Sequence, residues 1–240
     1  MIKFYRQIRL KLMNENKTSK YFKYAIGEIV LVVIGILIAL QINNWNENRK
    51  TKVEAEIFVA KIINDLAIDT LNINKLIKRS NESDNEISKF FNYYDSLTPN
   101  KKNIDLLLDS IKKVSAYYMK YFPVNHTYKN MENSKNGDLL KIDQRDALIS
   151  LVAEQEELNI IIDNSLNNAI DERKLSKHYL GFSDDFYEKI NIKNSTSRKT
   201  QTLLHSTLYL KALSKLYYYI ELRGVQIKKS SKSAIELLQN

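Results

Sequence analysis

An unbroken apolar run constrains this chain more than any other feature. Gly27–Glu47 has the sequence GEIVLVVIGILIALQINNWNE, and no polar side chain interrupts Ile29–Leu40. At about 1.5 Å per residue, a helix over Ala25–Ile42 is roughly 27 Å long, close to the bilayer hydrocarbon core of about 30 Å. Tyr24 before the run and Trp45 after it are typical of the two membrane interfaces. The run therefore predicts a transmembrane helix.

A buried helix of a soluble protein and a cleaved signal peptide can contain a similar run. The dense basic flank before the run argues against a soluble core helix. Cleavage of a signal peptide requires small residues close after the apolar region, and Leu37–Asn44 offers only Ala39. The sequence therefore predicts a basic tail at 1–23 and a retained signal-anchor helix at 24–42.

The flanking charges predict the orientation of this anchor. Residues 1–23 contain seven basic residues and one acidic residue, whereas Asn43–Ile62 contains four basic and three acidic residues. The positive-inside rule places the N-terminus in the cytoplasm and residues 43–240 outside it. In a bacterium with two membranes, the anchor would lie in the inner (cytoplasmic) membrane and the domain at 43–240 would be periplasmic.

The overall composition predicts a helical chain that does not bind nucleic acid. Only 5 Gly and 2 Pro occur among 240 residues, so turn-forming and helix-breaking residues are scarce. Although the net charge is +9, most of the excess lies beside the anchor, where basic residues attract anionic lipid headgroups. From Asn43 onward, 30 basic residues face 26 acidic ones. We therefore expect the membrane, and no nucleic acid, as a partner.

Two apolar seams predict long helices that pack against each other. The first follows the anchor in a segment without Gly or Pro up to Pro99, and the last is Leu203–Leu238. We expect these two helices to run antiparallel. We expect the first to be one long helix. A helix kinked near residues 79–84 is the alternative, because Arg79–Glu86 is polar and Ser83 and Glu86 match a capping box. The first seam consists of Ile63, Leu66, Thr70, Ile73, Ile77, Ser80, Asp84, Ile87, Phe91 and Tyr94.

Between these helices, the pattern predicts helices at Ile104–Tyr118 and Asp143–Lys177, separated by a loop at Phe122–Gly137. Gly181–Arg198 is polar and receives no assignment. The predicted fold class is all-α: a single N-terminal transmembrane helix that continues into an elongated antiparallel helical bundle, with coiled-coil-like seams.

The basic lead MIKFYRQIRLKLMNENKTSKYFKYA, followed by GEIVLVVIGILIALQINNWNE, resembles an uncharacterised family of bacterial single-pass membrane proteins. The segment YFPVNHTYKNMENSKNGDLLKIDQRDALISL, Tyr121–Leu151, is similar to a helix–loop–helix element of that family. The resemblance implies an inner-membrane anchor and a helical extracytoplasmic domain. It implies no activity and no functional residues.

No motif in the sequence predicts catalysis, a cofactor or a metal site. His126, His178 and His205 are scattered, which is typical of ordinary surface or loop histidines. Asp184–Asp185 and the carboxylates of 154–157 fit solvated surfaces better than an acid–base pair. No phosphate-binding, nucleophile-elbow or zinc-protease motif occurs. Three tyrosine clusters are each expected on a helix, with one ring in the core and its neighbour outside: 93–94, 117–118 and 217–219.

The candidate functional residues lie in and beside the anchor. Glu28 is a carboxylate one turn inside Tyr24, where it either reaches the headgroup layer or contacts another membrane helix. Gly35 and Ala39 have the spacing of a close helix–helix contact, and Trp45 marks the exit interface. We expect a non-enzymatic, membrane-anchored interaction or scaffold module, acting as a homo-oligomer or with an envelope protein. The alternatives are an extracytoplasmic ligand sensor that signals through the anchor helix and, third, an extracytoplasmic enzyme.

Overall fold

A computed structural model describes residues 6–7, 18–97, 103–132, 138–180 and 196–239. Within these ranges the chain is helical with no β-strand, which confirms the predicted all-α class. Met1–Ile57 and Phe58–Asn240 form two separate compact units, and α1 contributes to both. The helices are α1 (Thr18–Ser96), α2 (Ile104–Lys112), α3 (His126–Glu132), α4 (Ile142–Leu180) and α5 (Thr196–Leu238).

The first unit contains the apolar run, which lies within α1. Its large apolar side chains are all exposed, and none of the apolar window is buried inside the chain. This helix is long and apolar enough to cross a membrane. Leaving so much apolar surface in water costs about 25 cal/mol per Å². The exposed run therefore fits a surface that lipid covers.

In the second unit, α1 continues without a break through residues 79–84. Two of the polar residues in this stretch, Ser80 and Ser83, are buried in the core. Ser80 donates a hydrogen bond to the backbone oxygen of Leu76, 2.9 Å away, and its Oγ lies 3.2 Å from Sδ of Met119. Ser83 is buried as well, so it does not begin a new helix.

Helix α5 packs antiparallel to α1, as its seam predicts. Tyr217 lies beside Ser83, whereas Gly224, further along α5, lies beside earlier residues of α1. A Cβ at Gly224 would come within 2.9 Å of Ile77 Cδ1 and 3.1 Å of Ile73 Cγ2, so glycine permits this close approach. All eleven seam positions of α5 are buried: Leu203, Ser206, Leu210, Leu213, Tyr217, Ile220, Gly224, Ile227, Ser231, Ala234 and Leu238.

Helix α4 lies along α5 and completes a core of three long helices. Arg223 of α5 pairs with Glu157 at 2.6 Å, and Gln144 at the start of α4 donates to the Leu237 oxygen at 2.9 Å. These contacts make α4 and α5 antiparallel, so α4 runs parallel to α1. The prediction of a helix at Asp143–Lys177 is confirmed with slightly wider bounds.

Two predictions for the middle of the chain are wrong. The helix expected at Ile104–Tyr118 ends at Lys112, and the expected loop at Phe122–Gly137 contains α3. Residues 114–125, here called the strap, are not helical. Tertiary contacts explain this, because the strap is bound to residues of α1 far away in sequence.

The strap runs extended along α1. Its Met119 lies at Ser80, and its Val124 donates to the Asp69 carboxylate. The step of eleven residues on α1 from Ser80 to Asp69 spans about 16 Å, which is about the length of five extended residues. The strap therefore runs antiparallel to α1 in an extended conformation.

Candidate functional site

A buried polar cluster joins α1, the strap and α4. Asp69 is completely buried, and its carboxylate accepts three hydrogen bonds. The donors are the Tyr121 hydroxyl at 2.8 Å, the Val124 backbone N–H at 2.9 Å and the Gln155 side-chain amide at 2.8 Å. Gln155 also accepts a hydrogen bond from Asn125 at 2.6 Å. One carboxylate of α1 thus holds the strap and α4 together.

A second carboxylate, one helical turn earlier, positions the start of α3. Asp65 is buried and accepts a hydrogen bond from the Thr127 backbone N–H at 3.1 Å. His126 Nε2 lies 3.6 Å from the other Asp65 oxygen, with its ring mostly exposed. The adjoining cavity holds only about 10 Å³, which admits one water molecule at most. The cluster therefore organises the fold and has no room for a substrate.

The protonation of this cluster follows from its burial. Desolvation raises the pKa of Asp69 above its ordinary value of 3.8, while the hydrogen bonds from Val124, Tyr121 and Gln155 oppose that rise. Burial and the neighbouring Asp69 carboxylate also raise the pKa of Tyr121, so its hydroxyl remains a donor at neutral pH. Neither aspartate was predicted as a functional residue from the sequence. Their signal was the i, i+4 spacing beside the apolar seam of α1.

We expect Asp69 to make stability fall as the pH rises. Because its folded pKa is raised, the native state holds the proton more tightly between pH 3.8 and the folded pKa. Its contribution is complete below pH 3.8 and is lost as the pH rises through the folded pKa. The stability advantage of the wild type over Asp69→Asn, measured by urea unfolding at successive pH values, should shrink with rising pH. A constant or growing advantage would contradict this assignment.

A larger open groove lies between α1 and the strap. Its volume is about 530 Å³, and one wall is formed by residues 76–86 of α1. The other wall is the strap between Ser115 and Lys120, including the exposed Tyr117 ring. Charged side chains from both walls line it, among them Arg79 and Glu86.

The outer parts of the strap are also held in place. The Tyr217 hydroxyl donates to the Tyr117 oxygen at 2.7 Å, and burial raises the pKa of Tyr217 to about 12. Arg173 donates to the Tyr118 hydroxyl at 3.3 Å and lies 5.6 Å from the centre of that ring and 5.4 Å from that of Tyr209. The groove wall is therefore fixed by α4 and α5 as well as by α1.

The four residues singled out in the anchor all lie on α1, in the first unit. Glu28 is half-buried, and Trp45 is exposed. Nothing lies within 4 Å of a Cβ built at Gly35, and Ala39 is exposed, so the face they share is open within the chain. Their roles in interface anchoring or helix contact stay predictions.

The other candidate side chains take part in pairwise contacts. The prediction of a surface or loop histidine is wrong for His205. This residue is half-buried on α5, and its Nδ1 lies 2.7 Å from a carboxylate oxygen of Glu172. Glu156 and Glu157 pair with Lys129 and Arg223, each at 2.6 Å. Among the residues described, no group of three or more His, Asp or Glu side chains is arranged to hold a metal ion. Asp184 and Asp185 lie outside the described residues.

The tyrosine clusters follow the prediction in only one of three cases. Tyr217 is buried while Tyr218 is exposed, as expected. Both Tyr93 and Tyr94 are exposed, so neither ring lies in the core. The cluster at 117–118 lies on the strap instead of a helix, since the strap contacts prevent helix formation there.

Comparisons with known proteins place the chain in a family. No curated protein and no solved structure matches it. A family model described as a family of unknown function (DUF6090) matches residues 28–216, well over half of the chain. The match extends from the anchor to the middle of α5, so it includes the strap and the buried aspartates. The chain therefore belongs to this family of unknown function.

Proposed function

We propose that the protein is a non-enzymatic, membrane-anchored helical module that acts through protein–protein contact in the bacterial envelope. One observation carries this proposal. None of the apolar window of α1 is buried inside the chain, and the same helix also supplies core residues such as Ile73. A single helix thus serves as the membrane anchor and as part of the folded bundle.

The flanking charges favour one orientation in the inner membrane. The seven basic residues in 1–23 favour a cytoplasmic N-terminus, which would make the bundle periplasmic. The anchor also supports self-association. Gly35 and Ala39 are one turn apart, and small residues let two membrane helices approach closely. We therefore propose a homo-oligomer whose anchors touch along this face.

Cysteine crosslinking in native membranes tests the anchor contact. The natural chain has no cysteine, so each introduced thiol can be followed alone. With mild oxidation, Gly35→Cys and Ala39→Cys should give disulfide-linked dimers. Leu37→Cys is the matched control, because it lies about 200° around the helix from both. Equal dimer yields at all three positions, or none at any, would contradict an oligomer built on this face.

A further inference from the structure

We propose that the groove between α1 and the strap binds an extended acidic peptide segment of a partner protein, which pairs with the strap as an added β-strand. This inference rests on the proposed function and names the contact surface. It assigns the partner by its chemistry: an extended backbone with carboxylate side chains.

The backbone of the strap lacks a strand partner. Residues 115–122 make no hydrogen bond to any other backbone group in the described part of the chain. The Tyr117 oxygen accepts from the Tyr217 hydroxyl, and the backbone groups of Ala116 and Tyr118 form no hydrogen bond within the described residues. Extended backbone with unpaired N–H and C=O groups is a template for strand addition.

The shape of the groove suits a short extended peptide. Ser115–Lys120 forms one wall of the groove, and six extended residues are about 20 Å long, enough to pair with a short peptide strand. The opposite wall is helical, so it offers side chains and no competing backbone edge. A peptide in this groove would contact both the strap and α1.

The strap is held in place by its buried side chains. Met119 and Tyr121 are buried on either side of Lys120, with contacts to Ser80 and Asp69 respectively. A strand template that is already ordered loses little conformational entropy when a peptide binds. The buried side chains of Met119 and Tyr121 therefore hold the strap in place before a peptide binds.

The charged side chains of the groove favour an acidic partner. The two acidic residues of the groove are engaged on their own helix: Glu86 pairs with Lys89 at 2.6 Å and Glu82 with Lys78 at 4.0 Å. Arg79 and Lys120 line the same groove, and no acidic partner for either lies among the described residues. Both acidic side chains of the groove already pair with lysines, whereas Arg79 and Lys120 form no ion pair within the described residues, so the groove favours an acidic peptide.

Exposed aromatic surface adds a contact for apolar side chains of the peptide. Tyr117 is 65 % exposed although its backbone is fixed, and it lines the groove. Tyrosines that present a large ring with little rotamer freedom are common anchors of binding surfaces. Alternate residues of an added strand would point toward this ring and toward the cations.

Binding of a defined probe tests the inference. The full-length chain in nanodiscs of zwitterionic lipid is titrated with a fluorescein-labelled nonapeptide in which valine or threonine alternates with glutamate. We expect saturable binding, weakened at least about tenfold by Arg79→Glu or Lys120→Glu, because each reverses a charge at the groove. Lys75→Glu, an exposed charge reversal on α1 outside the groove, should change the affinity less than about twofold.

Two further measurements separate strand addition from general attraction to a basic protein. A probe with the same charge but N-methylated at every second amide loses its backbone donors and should bind at least about tenfold more weakly. Saturating unmodified probe should slow hydrogen exchange of amides within 115–120. Equal binding of the N-methylated probe, absence of amide protection, or no binding at all would overturn the proposal.

Failure here would be distinguishable from failure of the proposed function. Cysteine crosslinking reports contacts of the anchor, whereas the peptide titration reports only the groove. Anchor dimers without peptide binding would support the proposed function and contradict the groove as the contact surface.

Discussion

A chain that begins at Phe58 is expected to be folded and soluble without detergent, whereas the full-length protein sediments with membranes. The compact unit Phe58–Asn240 contains the whole described core, from Ile62 to Leu238. The apolar run lies in the other unit, and none of its window is buried in the chain. Removing it therefore deletes exposed apolar surface without opening a cavity in the core.

Fractionation followed by carbonate extraction measures the membrane association of the full-length protein, and circular dichroism measures the folding of the soluble Phe58 fragment. A full-length control is Ile34→Arg with Leu37→Arg, which places two charges near the middle of the run at a cost of about 2.5–3.5 kcal/mol each. This variant should be extracted from membranes although its length is unchanged. Full-length wild type in the soluble fraction, or an unfolded Phe58 fragment, would contradict the prediction that the apolar run binds the membrane while the unit from Phe58 folds without it.

Replacing Asp69 with alanine should destabilise the bundle by about 3–5 kcal/mol, because buried groups that lose their partner retain the full cost of desolvation. The Tyr121 hydroxyl, the Val124 N–H and the Gln155 amide all donate to this carboxylate. Their acceptor would disappear at a position with no exposed surface. We also expect the strap to detach before the long helices separate.

Urea unfolding of the full-length protein in mild detergent, followed by circular dichroism, measures the loss. Asp95→Ala is the matched control, since Asp95 is an exposed aspartate on the same helix and should change stability by less than about 0.5 kcal/mol. Hydrogen exchange at Val124 should increase in Asp69→Ala and not in Asp95→Ala. Equal stability of the two variants would show that the cluster does not hold the strap.

The long helices could be predicted from sequence because their signal is repeated many times. In α5, mostly apolar or small residues recur at the seam spacing, which predicts one buried face. All eleven of these positions are buried. The same repetition predicted α4 almost to its ends. In the polar stretch of α1, the pattern was ambiguous, and burial of Ser80 and Ser83 against distant partners resolved it.

The strap and the groove could not be predicted in this way. Ser115–Phe122 (SAYYMKYF) is compatible with helix or extended chain, and its conformation depends on Asp69 and Ser80, which lie 35 or more residues earlier. Asp65 and Asp69 also interrupt a core face, where carboxylates are unexpected unless hydrogen-bond donors meet them. Those donors come from other elements, so sequence spacing on α1 does not reveal them.

The sequence by itself determined the all-helical class, the apolar run suited to a membrane and the buried face of α5, because each follows from periodicity or length within a single segment. Only the tertiary structure decided that the strap is extended and that a groove opens beside it. Those features depend on contacts between residues 39–86 positions apart, such as the contact of Ser80 with Met119 and the hydrogen bond of Gln155 to Asp69. Pairings of that kind are fixed when the chain folds on itself, and no local pattern encodes them.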